Sequence, residues 1–219
     1  PFVFITRSSA RLCSNLARNA ILPFSQRSFR ALSMSLLITG LVIWSAAHLF
    51  KAVSPASRDK IERKMGENPY RGAFSLVIIG ALIVSVVGWK SAVPYGLYVA
   101  PLPPGPAISS LVWIGLVLFF ASQFNGNIKR LVRHPQMTGT LLWSAAHLLT
   151  NGDSRSVTLF GGLAVWAMLE IFFINRRDGR WQRPEPAVIR FDIIPVVVGT
   201  AVFAAVLRFH STLFGVAPY

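Results

Sequence analysis

Apolar residues in this chain neither alternate nor return at a helical period with polar residues between them. They form six continuous runs, over residues 34–52, 72–93, 106–124, 136–150, 156–174 and 192–214, separated by short segments rich in Lys, Arg, Pro and Gly. A hydrocarbon core about 30 Å thick requires roughly 20 apolar residues in a helix, and the helix satisfies its own backbone where no water is available. The pattern therefore predicts an all-α fold, a polytopic membrane helical bundle of about six transmembrane helices. A membrane β-barrel would need alternating strands, and these runs do not alternate. The fourth run is short, and the preceding residues 128–134 are expected to lengthen it. Composition agrees: 53% of the 219 residues are hydrophobic and 14% charged, with a mean hydropathy of +0.53, too apolar for an ordinary soluble domain.

The polar connections refine this picture. Pro94, Pro101, Pro103, Pro104 and Pro106 make the second connection a stiff extended link, because each proline lacks a donor and crowds the preceding turn. Asn151-Gly152-Asp153-Ser154 reads as a turn with Asp153 or Ser154 capping the helix that follows. The net charge of +14 comes from 22 basic residues gathered mainly in the connections. That distribution suits anionic lipid rather than nucleic acid, and it assigns the connections after the first, third and fifth runs to the cytoplasmic or matrix side.

Residues 1–33 form a separate zone, a basic, transit-like N-terminal arm with five arginines and no acidic residue, ahead of a transmembrane domain over residues 34–219. Two placements suit the arm: a surface helix with Leu12, Leu16 and Ala20 inward, or docking onto other subunits of a membrane complex. The expected location is an organellar membrane, the mitochondrial inner membrane first and a plastid membrane as the alternative. The sole cysteine, Cys13, excludes an intrachain disulfide and a cysteine-based zinc cage.

Candidate chemistry enters through a repeat. WSAAHL occurs at residues 44–49 and again at 143–148, and Thr-Gly precedes both copies at the same distance, giving eight identities over eleven positions. Gly40, Trp44 and His48 are spaced four apart, as are Gly139, Trp143 and His147, so each triple follows one helix face. Glycine and alanine leave room, tryptophan offers a flat wall and histidine a nitrogen ligand. Small residues also serve helix packing in lipid, and a lone histidine there often only hydrogen-bonds a neighbour. Two in identical settings favour a haem b site with axial imidazoles from facing helices.

If all six runs cross, His48 and His147 lie near opposite ends of their helices, roughly 10 Å or more apart in depth at 1.5 Å rise per residue. His134 is closer in depth to His48. Two ligand pairs thus stay open, His48 with His147 and His48 with His134. Lys129, Arg130 and Arg133 are candidate propionate partners, with anchoring of the basic loop as their other role. Glu170 suits either orientation of a ligand imidazole or an ion pair with Arg176 or Arg177. Arg208 and His210 are expected to snorkel to the interface.

Three segments, KMGENPYRGAFSL at 64–76, GNIKRLVRHPQMTGTLLWSAAHLLTNGD at 126–153 and LFGGLAVWA at 159–167, resemble the NnrU family of membrane proteins. The resemblance covers about residues 34–180, and its most specific part is the RHPQ block with the histidine that follows. Bacterial members accompany denitrification genes, and relatives include the plastid cis-ζ-carotene isomerase, a haem b enzyme. The resemblance implies axial ligation by His48 and His147. It also implies a cysteine, three residues before the second histidine, that exchanges onto reduced iron; Ser144 stands there, and a hydroxyl is a poor substitute for a thiolate. Arg133-His134-Pro135 through Gly139 is also similar to the RHP-x-x-x-G motif of isoprenylcysteine-type membrane methyltransferases, with Glu170 the nearest match to their later acidic motif. Three functions follow as expectations: a haem-binding accessory subunit of a mitochondrial respiratory-chain assembly, a haem b-dependent isomerase-like enzyme, and a methyltransferase using S-adenosylmethionine.

Overall fold

The computed structural model describes residues 24–217, with side chains from residue 32 onward. Apart from one antiparallel bridge between Gly96 and Asp153, the regular structure of the described residues is helical: α1 (Phe24–Val53), α2 (Pro55–Met65), α3 (Glu67–Ser91), α4 (Pro106–Ala121), α5 (Ile128–Leu131), α6 (Pro135–Thr150), α7 (Ser154–Asp178) and α8 (Arg190–Phe214). Each of the six apolar runs is a helix. Leu32–Val53 of α1, together with α3, α7 and α8, provides 22 to 25 residues apiece, long and apolar enough to cross a membrane. Helices α4 and α6 have 16 residues each, which is about 24 Å of rise.

Two boundaries differ from the sequence expectation. Residues 128–134 do not lengthen the fourth helix: α5 stops at Leu131, Val132 is extended at φ −124° and ψ 116°, and α6 starts afresh at Pro135. Proline has no N–H to continue a helix and biases the residue before it away from the helical region. The helix of the first run begins at Phe24, so it takes in residues 24–33 of the basic arm. The surface helix expected around Leu12, Leu16 and Ala20 lies outside the described residues.

The described residues divide into two compact units, one running up to residue 100 and taking in 151–162, the other taking in 101–150 and the residues from 163 onward. In the first, α1 packs along α3 through two glycines. A Cβ on Gly40 would lie 2.6 Å from the Ala81 carbonyl oxygen and from the Ser85 nitrogen, and one on Gly88 would meet the backbone of Leu37. Close backbone approach of this kind is how helices gain contact where lipid removes the hydrophobic drive to associate. The proline-rich link is tied to the turn before α7: Ser154 N donates to Tyr95 O at 2.8 Å, Leu97 N to Gly152 O at 2.8 Å, and the Tyr98 hydroxyl to Asn151 O at 3.0 Å. Asp153 caps α7, accepting from the amides of Arg155 and Ser156 at 3.1 Å each and from the Ser156 hydroxyl at 2.5 Å. A π-helical turn follows at Val157–Gly161, with Thr158 Oγ1 3.7 Å from Met34 Sδ.

In the second unit α4 lies against both α6 and α8. Gly115 and Gly139 face each other's carbonyls, and a Cβ on Gly199 would lie 2.9 Å from the Val117 Cα. Trp113 Nε1 donates to Thr200 Oγ1 at 2.9 Å. Large apolar side chains remain exposed on the outer faces, among them Leu76, Leu82 and Ile83 on α3 and Val197 on α8. Hydrocarbon is the solvent that accepts such faces.

Candidate functional site

Both WSAAHL cassettes fold the same way within their own units. His48 Nδ1 lies 2.8 Å from the Trp44 carbonyl oxygen, and His147 Nδ1 lies 2.9 Å from that of Trp143. A carbonyl only accepts, so Nδ1 carries the proton in each ring and Nε2 is the acceptor nitrogen. The four-residue spacing produces this bond, because a side chain on a helix leans back over the preceding turn. It also brings each imidazole beside its tryptophan, with ring centroids 4.1 Å apart and the planes tilted for His48 and Trp44, and 5.1 Å apart and edge-on for His147 and Trp143. His48 is further edged by Phe74 of α3 at 5.6 Å, and Lys51 lies 3.6 Å over the same phenyl ring.

Between tryptophan and histidine the two copies diverge. Ser144 is fully buried, and its hydroxyl has no hydrogen-bond partner; Ser45 is half-buried. Ala146 is buried whereas Ala145 is exposed.

His134, Arg130 and Arg133 serve another arrangement in the second unit. His134 Nε2 lies 2.8 Å from Asn175 Oδ1 of α7, and since an amide oxygen only accepts, Nε2 donates there. His134 and His147 bracket α6 and are about 20 Å apart along it. Arg133 donates to Gly179 O at 2.9 Å, Arg130 to Pro184 O at 3.1 Å, and Lys129 approaches Asn125 Oδ1 at 3.3 Å. Glu170 is buried within α7. His210 Nδ1 donates to Val216 O at 2.7 Å, and the Arg208 guanidinium lies over Phe209 at 5.5 Å. No cluster of three or more His, Cys, Asp or Glu side chains suited to a metal ion occurs among the described residues.

Sequence reasoning passed over the residues that organise the loop before α6. Asn127 Nδ2 donates to Asp192 Oδ2 at 2.7 Å and to Ala187 O at 2.8 Å, while its Oδ1 accepts from Ala187 N at 3.0 Å. Asp192 also accepts from the Ile128 amide at 2.8 Å. Gly126 is required here, since a Cβ would lie 2.8 Å from Phe191 O. The one signal available was an acidic residue at the start of an apolar run, in the first turn of α8 where the helix dipole favours it.

A family model described as NnrU protein matches residues 36–218. No curated protein and no solved structure matches the chain.

Proposed function

The chain belongs to the NnrU family, and from that premise we propose that it is a haem b-binding membrane subunit of a mitochondrial respiratory-chain assembly, with His48 and His147 as iron ligands. The observation that carries this reading is the common state of the two cassette histidines. Each gives its Nδ1 proton to the carbonyl one turn back, which fixes the tautomer, orients the ring and raises the basicity of Nε2, as second-shell partners of ligating histidines do. The His48 ring also lies tilted beside the Trp44 indole and the His147 ring meets that of Trp143 edge-on, and an indole is an apolar wall suited to a macrocycle. Two imidazole nitrogens would hold an iron porphyrin, which when bound supplies one-electron redox chemistry.

His134 suits a structural role, since its Nε2 bonds Asn175 Oδ1 of α7. Arg130 and Arg133 hold backbone carbonyls and keep further N–H groups for an acidic ligand, since guanidinium has five donors. Ser144 offers a hydroxyl and no thiolate, which favours a non-catalytic subunit over an isomerase. The basic arm of residues 1–33 supports assembly with partner chains in the mitochondrial inner membrane.

The test is a reduced-minus-oxidised spectrum of the purified full chain. A b-type band is expected, with His48→Ala and His147→Ala each reducing haem retained per chain by tenfold or more, and His134→Ala leaving it within about twofold. A featureless spectrum from protein expressed with ample haem overturns the reading.

A further inference from the structure

We propose that the segment between α7 and α8 is a strap that forms a docking surface for the phosphates of anionic phospholipids. Residues 179–189 carry no regular helix or strand, yet they are held at three points. Arg133 bonds Gly179, Arg130 bonds Pro184, and Asn127 bonds both backbone groups of Ala187. The holding residues are spaced three apart and run antiparallel to the strap, so the segment is laid along the loop before α6 at a fixed register. Asp192, buried and bonded to Asn127 and to the Ile128 amide, locks the strap's far end to the first turn of α8.

This fixed segment presents a surface of mixed character. Residues 125–135 and 175–192 contain eight lysines and arginines against three acidic residues. Two of those acids are occupied within the fold, Asp178 by Arg177 and Asp192 by the clasp. Among the described residues Arg180, Arg183 and Arg190 make no ion pair. Instead Arg183 lies 5.4 Å over Trp181 and Arg190 4.9 Å over Phe191. Beside these cations, Leu131 is 81%, Val188 60% and Ile189 64% exposed.

An acidic protein or a nucleic acid would leave three large aliphatic side chains in water. The headgroup region of a bilayer accepts both components, with apolar side chains sinking toward the acyl boundary and guanidinium groups meeting phosphate. The strap joins the ends of two helices long enough to cross the membrane, so headgroups lie within reach. The strap's own cations, Arg180, Arg183 and Arg190, are not among the residues assigned to the haem site.

The full chain in neutral detergent is titrated with phosphatidylglycerol, phosphatidylcholine or inorganic phosphate in separate arms, and retained lipid is counted by native mass spectrometry. Each cation near an anionic headgroup changes partition by roughly fivefold, so phosphatidylglycerol is expected to be retained over phosphatidylcholine by tenfold or more. R180Q/R183Q/R190Q is expected to remove most of that preference while leaving the lipid-free thermal midpoint unchanged. The charge-preserving R180K/R183K/R190K is expected to retain it within a few fold. Equal retention of the two lipids, or an unchanged preference in the glutamine variant, overturns the proposal. Inorganic phosphate displacing phosphatidylglycerol at equal concentration overturns the lipid assignment in favour of a free-anion site.

Discussion

At the scale of single residues, glycine is the sharpest instrument in this molecule. Gly40 and Gly139 occupy the same place in the two cassettes, and each lets its helix approach a neighbour's backbone, Ala81 and Ser85 for the first and Gly115 for the second. An added methyl group must push two helices apart, because the obstructing atoms are mainly backbone. Gly40→Ala and Gly139→Ala are each expected to destabilise by about 1–3 kcal/mol, read as a fall in thermal midpoint in detergent. Gly80→Ala is the control, since a Cβ there meets nothing within 4 Å; it should be neutral or stabilising by up to about 1 kcal/mol. The repeated Thr-Gly and Trp-Ser-Ala-Ala-His were visible in the sequence, and so was their four-residue spacing. The histidine's bond to the carbonyl of its own tryptophan follows from that spacing, whereas the packing role of the glycine required the neighbouring helices to be seen.

At the scale of elements, α7 depends on its first turn. Asp153 accepts two amide bonds and one hydroxyl bond there, and the preceding Asn151-Gly152 holds the proline-rich link. Asp153→Ala is expected to remove about 1 kcal/mol of stability, within the 0.5–2 kcal/mol typical of such caps. Faster amide exchange confined to the start of α7 and the 95–98 segment would identify the cause; uniform acceleration through the chain would point elsewhere. This cap was legible in advance because its residue types and position follow local rules. The break between α5 and α6 was legible too, in His134-Pro135, but the shortness of the fourth run favoured joining residues 128–134 to it. The clasp of Asn127 with Asp192 could not be read: its partners are 65 residues apart, and no periodicity links them.

At the scale of the whole molecule, the chain is a membrane protein of the NnrU family with six apolar helices. If it works as a subunit, its native state is an assembly. Native-gel migration well above the monomer is expected from gently solubilised membranes, and removal of residues 1–23 should release the chain to a monomer. A monomer obtained from the intact chain under the same mild conditions would count against the assembly. By itself the sequence determined the helical class, the apolar runs, the family and the two histidines that stand out, because hydrophobic length, turn chemistry and repetition are properties of neighbouring residues. Tertiary structure alone decided which carbonyls the loop arginines hold, how the strap after α7 is fastened, and which glycines lie in helix contacts. Those outcomes depend on groups distant in sequence meeting in space, where each polar group takes whichever partner the packing brings within hydrogen-bond reach.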